Sequence, residues 1–298
     1  MESMSDGKGN EITRRRFVSN AATAAVAAAL SPALAAPEEG PRSRVVLIRD
    51  EGVLDEAGKP KAEVIQRMLD RGMCELLQVK EPVEAWKKAL GSAKSVGIKT
   101  NVWKYLATGP EVEGALRRRI VETGVPEGSV KIDDRGARLS LASCDALVNA
   151  RPLRTHHWAG IGGCLKNPIM FAEDPSFYHP DLCADLGSLW TLPAIKDKVK
   201  LNVLVVLTPQ FLTRGAHHFD TRYVWPYKGI LLSTDPVAID AIGVKLLDAK
   251  RKLALQEERP LTELAHHVRI AGEKHKLGVA DASRIDLVKI GWTADILI

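Results

Sequence analysis

From residue 44 to residue 290 the chain alternates short, continuously apolar runs with stretches whose apolar residues recur at helical spacing. The runs lie at 44–49 (Val45, Val46, Leu47 and Ile48 in a row), 95–102, 130–133, 146–150, 202–207, 230–233 and 286–290. Runs of this length without polar alternation predict strands covered on both faces. Between them, helices are predicted at 61–71, with a stripe of Val64, Ile65, Met68 and Leu69 stopped by Gly72, and at 83–90. Others are predicted at 111–122, opened by Pro110 and closed by Gly124, at 236–253, with Ile239, Ile242 and Leu246 inward, and at 261–275. Strands alternating with helices imply an α/β fold, a mainly parallel sheet with helices on both faces.

Ahead of this domain stands a different kind of segment. Thr13-Arg14-Arg15-Arg16-Phe17 precedes an Ala-dominated run at 18–34, which ends in Ala33-Leu34-Ala35. A charged region, a weakly apolar core and a small-residue cleavage pattern make a signal peptide, and the Thr-Arg-Arg-x-Phe core resembles the twin-arginine (Tat) type. The expectation is cleavage after Ala35, a linker at 36–43 and one domain at 44–298, delivered to the periplasm with the Tat export machinery as its partner. A retained anchor is the alternative, but Ser19, Asn20, Thr23, Ser31 and Pro32 make the run a poor membrane span.

Removing residues 1–35 leaves 263 of 298 residues and +4 of the formal net charge of +5. That excess is spread over several helices, which suits a small anionic molecule and argues against nucleic acid. No later segment approaches 18 consecutive apolar residues, so the mature form is expected not to be membrane-embedded. Cys74, Cys144, Cys164 and Cys183 contain no C-x-x-C pair, so no ferredoxin-type iron–sulfur cluster is expected. One disulfide stays possible in an oxidising compartment, with free buried thiols as the alternative.

Between residues 151 and 220 the periodic pattern dissolves, apart from the run at 202–207. Long irregular segments inside a domain are usually functional. This one opens with Arg151-Pro152-Leu153-Arg154-Thr155-His156-His157-Trp158-Ala159-Gly160-Ile161-Gly162-Gly163-Cys164-Leu165-Lys166-Asn167-Pro168, at the end of a predicted strand, where open α/β sheets place ligands. Gly162 and Gly163 would let backbone N–H groups approach an anion, and Asn167 would orient it. Lys166 would supply a charge or a desolvated nucleophilic amine. Five of the eight histidines (His156, His157, His179, His217 and His218) fall in the same segment. They could bind an anion or, with His217 and His218 as the candidate ligands, a zinc, iron, nickel or copper ion. His266, His267 and His275 fall on a predicted amphipathic helix and are expected to be solvated.

Two further places carry candidate ligand-binding residues. Lys99 and Asn101 share one face at a strand end. Asp235 precedes Pro236 as a helix N-cap, whereas Asp240, a turn later, has no capping role and could hold a metal or orient Lys166.

Taken in order, several segments resemble the domain of unknown function 362 family. They are Val96-Gly97-Ile98-Lys99-Thr100-Asn101, the stretch from Cys144 to Asn149, Thr155-His156, Gly162-Gly163, Lys166-Asn167 and Thr234-Asp235-Pro236-Val237-Ala238-Ile239-Asp240. The resemblance spans roughly residues 45–292 and implies an α/β fold. Many relatives carry added ferredoxin-like cysteine clusters, which this chain lacks. The stretch from His156 to Lys166 also resembles a motif of the lactate racemase family, with its Gly pair one position early. That likeness implies Lys166 as the anchor of a tethered nickel cofactor and His156 as an acid/base.

The sequence therefore points to a periplasmic enzyme in which Lys166, His156 and His157 act on a small anion, with a metal ion or Lys-tethered group as possible cofactor. A non-catalytic binding protein using the same pocket is one alternative. A scaffold for an exported partner, with Trp158, Phe177, Tyr178 and Trp190 in its interface, is another.

Overall fold

The computed structural model describes residues 42–213 and 215–298, and of Ala216 and His217 the backbone alone. The expected signal lies outside the described residues, as does the linker up to residue 41. Pro41–Ile298 forms one unit by its contacts.

Among the described residues eight strands form one mostly parallel sheet. They are β1 (Ser43–Arg49), β2 (Val96–Lys99), β3 (Val130–Asp133), β4 (Ala146–His156), β5 (Gly160–Gly162), β6 (Val199–Gln210), β7 (Gly229–Ser233) and β8 (Ile285–Gly291). Their order is β3-β2-β4-β6-β7-β1-β8, with β5 folded back on the end of β4. The pairs β2–β3, β2–β4, β4–β6 and β1–β8 are parallel, and β7 runs antiparallel to both its neighbours.

Helices cover both faces, as the buried apolar runs require. On one face Ala62–Leu77, Pro82–Leu90 and Pro110–Glu122 enclose Ile65, Met68, Leu69 and Trp86 against Val46, Ile98, Val148 and Val203. On the other, Pro236–Leu255 and the segment after β5 enclose Leu153, Ile161, Leu186 and Ile239 against Leu47, Leu147, Leu204 and Leu231. Each such side chain, fully withdrawn from water, contributes about 1.5–3 kcal/mol of transfer free energy. No helix among the described residues is long and apolar enough to cross a membrane.

Several predicted boundaries need correction, and each has a physical cause. The first helix does not stop at Gly72 but runs to Leu77, ending at Gln78 in the left-handed conformation (φ 55°). Gly72 is a close-approach residue: a β-carbon there would lie 2.5 Å from Leu232 Cδ1 on β7. Helix propensity alone favours Gly72→Ala by about 1 kcal/mol. We expect the opposite, a loss of about 1–3 kcal/mol from overpacking, read as a lower midpoint in urea unfolding. The strand predicted to end at Ala150 continues six residues further to His156, and the one predicted at 202–207 extends over Val199–Gln210. The last helix is short, His267–Glu273, and His267 is fully buried rather than solvated. Burial lowers the pKa of His267 to about 3, so it is a neutral imidazole. All four cysteines are free thiols, with Cys74 half-buried and the others buried.

Candidate functional site

Where β2, β4 and the segment after β5 meet, a polar row crosses the sheet. Register pairs Asp133, Lys99, Asn149, Asn202 and Ser233 in one line over five strands. Asn167 Nδ2 donates to Asn149 Oδ1 (2.8 Å), Lys99 O (3.0 Å) and Ala150 O (3.2 Å). Asn149 Nδ2 in turn donates to Asn202 Oδ1 (2.8 Å) and Cys164 O (3.0 Å). These amides fasten the segment carrying Lys166 to the strand ends, because each buried polar group must find a partner.

Beyond that row lies a cavity of about 380 Å³, within the usual range for small-molecule sites. Its walls include Asn101, Asp134, Arg151, Arg154, Lys166 and Asn167, and His156, His157, Trp158 and His179 form an imidazole-rich side. Residues three apart on a regular strand face opposite ways. A register irregularity between Pro152 and Arg154 brings both Arg151 and Arg154 to the cavity.

The two arginines differ in their partners. Arg154 donates to Asn101 Oδ1 (3.1 and 3.2 Å) and Leu106 O (3.0 Å), all neutral acceptors, and burial lowers its pKa to about 9. Arg151 is 4% exposed, and its guanidinium forms no hydrogen bond or ion pair among the described residues. Burial lowers its pKa, while the charges of Asp134 and Asp240 act in the other direction. A buried cation without an acceptor is among the costliest arrangements a fold can hold, and it makes this wall strongly electropositive.

Lys166 is 4% exposed, and its one hydrogen bond runs to Cys183 Sγ at 3.5 Å. Burial is the main cause of its lowered pKa, about 8, with Arg151 adding repulsion and Cys183 opposing. Cys183 reaches this place through a turn in which Asp181, Leu182 and Cys183 all have positive φ (48°, 54° and 62°). Lys166 is aimed by Asp240, whose carboxylate accepts from Cys164 N (2.6 Å) and Leu165 N (2.9 Å). Asp240 is wholly buried, and burial raises its pKa to about 7.

Burial depresses the pKa of His156 and His179, and His156 has a definite tautomer. His156 Nδ1 accepts from Trp158 N (3.2 Å) and Ala159 N (3.3 Å), so its proton sits on Nε2. Burial, then Lys166 and Arg151, depress its pKa far below the ordinary imidazole value. His156 therefore joins the cavity lining as a ring whose N–H is on Nε2. His157 stacks on it at 4.8 Å, and His179 packs on Trp158 at 4.6 Å. Burial and Lys166 lower the pKa of His179 to about 4.

Other sequence expectations are redistributed. Lys99 does not face the cavity: its Nζ is occupied by Asp134 Oδ1 (2.5 Å), Thr100 O (2.8 Å) and Asn167 Oδ1 (3.4 Å). Asp235 is not among the residues lining the cavity. Its carboxylate caps Pro236–Leu255 through Val237 N (2.8 Å) and Ala238 N (2.9 Å) and accepts from Val279 N (2.8 Å) and Ser43 Oγ. Gly162 and Gly163 both make room for protein groups. A β-carbon at Gly162 would lie 2.8 Å from Arg151 Nη2, and one at Gly163 would collide with the Asp240 carboxylate. Asp240 does not touch Lys166; it holds the backbone before it. His217 and His218 fall in the turn Gly215–His218, which packs against the end of β4 at Thr155 and His156; His218 is not among the lining residues, and the His217 side chain lies outside the described residues. Among the described residues no group of three or more His, Cys, Asp or Glu side chains is placed to hold a metal ion.

Residues 61–245 match the family described as Domain of unknown function (DUF362). The chain belongs to this family. No curated protein and no solved structure matches it. The matched span contains every residue lining the cavity, whereas β1 and β8 lie outside it. For this member of the family, the site residues missed from sequence are Arg151, Arg154, Asp134 and Cys183. Arg151 and Arg154 had a signal, two arginines three apart directly after a buried strand. Asp134 had none, since its partner Lys99 is 35 residues away.

Proposed function

We propose that the protein is exported by the Tat pathway to the periplasm and there binds a small anionic molecule on which Lys166 acts as an enzyme's reactive amine. The export half rests on the twin-arginine segment of the sequence. The binding half rests on one observation above all, the buried Arg151 guanidinium with no acceptor among the described residues. A carboxylate or phosphate oxygen in the cavity would supply that acceptor, with Arg154, Lys166 and the Nε2–H of His156 around it.

Lys166 separates an enzyme from a passive receptor. A static receptor is best built from arginines, which stay charged, whereas a lysine with a pKa near 8 is available as a free amine. Because that folded value lies below the ordinary lysine value of about 10.4, protonating Lys166 costs more in the folded state. Stability should therefore rise as the pH climbs through 8. Acylation of Lys166 should likewise reach half its maximal rate near pH 8, well before that of surface lysines, as followed by peptide mass mapping. Calorimetry with acetate, oxalate, L-lactate, pyruvate and inorganic phosphate tests the binding half. The reading fails if none of these binds the wild-type protein.

A further inference from the structure

We propose that the anion taken into this cavity is a carboxylate carrying a neighbouring carbonyl group, a 2-oxo acid, and that Lys166 holds it as an imine. The inference rests on the anion-binding reading above and adds the substrate class to it. Of the four cations lining the cavity, Arg151, Arg154 and Lys166 are buried, and their chemistries divide the work. Arg151 and Arg154 present planar forks suited to the two oxygens of a carboxylate. Arg151 has its donors free, and Arg154 spends its own on neutral acceptors.

Lys166 has a different environment from the other buried lysine. Burial lowers the pKa of Lys99 to about 8 as well, but its amine is committed to Asp134 and two further acceptors and is not open to the cavity. Lys166 forms no ion pair with a carboxylate among the described residues, and its one hydrogen bond there runs to a thiol. Its amine is thus left where a third anion-binding charge adds little and a nucleophile adds much. Arg151 nearby and the surrounding burial keep a large share of it unprotonated at mildly alkaline pH. His156, a neutral ring with its proton on Nε2, is a donor suited to a carbonyl oxygen or to the hydroxyl that replaces it.

The step balances without any co-reactant. The amine nitrogen adds to the carbonyl carbon, and the carbonyl oxygen leaves as water together with the two amine protons. A carbon–nitrogen double bond remains, and nothing is oxidised or reduced.

The test is reductive trapping on the full chain. Protein is incubated with glyoxylate, pyruvate or 2-oxobutyrate and sodium cyanoborohydride, then analysed by intact mass and peptide mapping. The expected result is one adduct per chain, equal to the mass of the acid less one oxygen atom, located on Lys166. Arg151→Met should lower its yield at least tenfold, and L-lactate, which has no carbonyl, should compete without being trapped. Lys166→Met should show no adduct. If that variant fails to fold, protection of Lys166 by L-lactate in the wild type carries the same information. Binding of these acids without an adduct, or labelling spread evenly over surface lysines, overturns the imine while leaving the anion pocket in place. Absence of binding by every acid, L-lactate included, overturns the anion pocket itself.

Discussion

Arg151→Met is expected to weaken anion binding about thirtyfold or more while leaving the melting temperature unchanged or raised. The two directions follow from one fact, a guanidinium withdrawn from water and given no acceptor. In the empty protein that charge is a burden, and methionine of similar length fills its space without the desolvation penalty. In the complex it is the group that meets the anion, and truncating one partner of a buried charge pair typically costs about 2–5 kcal/mol. Calorimetric titration and thermal unfolding on the same preparations separate the effects. A variant that binds normally but melts lower would show Arg151 to be structural and would remove the main support for the pocket.

Asp240→Ala is expected to act the other way, on the fold first. Its two oxygens satisfy the Cys164 and Leu165 N–H groups inside the core, where Asp240 is wholly buried. Two orphaned buried donors and a carboxylate-sized void should lower stability by roughly 3–5 kcal/mol. For a domain of this size that is a fall in Tm on the order of 10 °C. Lys166 should lose its alignment as well, so trapping or acylation of its amine should slow even at temperatures where the variant stays folded. Unchanged unfolding would mean that the backbone before Lys166 holds its shape without the carboxylate.

Much of the architecture was legible because it depends on burial alone. Uninterrupted apolar runs such as Val45–Ile48 become strands with two covered faces, and the family resemblance agrees with the match over residues 61–245. What escaped was polar structure inside the protein. β4 was cut short at Ala150 because Arg151, Arg154 and His156 look like a loop when water is assumed to be their partner. They are strand residues whose polar ends meet an enclosed cavity.

Gly162 and Gly163 read from sequence as places of close approach, but the protein groups lying against them do not. Arg151, which lies against Gly162, is 11 residues before it, and Asp240, whose carboxylate lies against Gly163, is 77 residues after it.

 The Lys99–Asp134 pair escaped for the same reason: only the finished sheet brings β2 and the end of β3 side by side. His156 shows a subtler limit, since its tautomer is set by two backbone N–H groups of the turn that follows it.

The turn at Asp181, Leu182 and Cys183 has a consequence for how a ligand would be met. Three successive L-residues in the left-handed region carry about 1–2 kcal/mol of steric strain each, and such strain persists only where the surrounding packing over-determines it. Cys183 is fully buried at the end of that turn, so the thiol beside Lys166 is fixed when the chain folds and not when a ligand arrives. The entropy of ordering this part of the site is thus spent before any encounter. Association at this wall would then be limited by diffusion and by stripping water from the anion, and would need no closing motion of the wall itself.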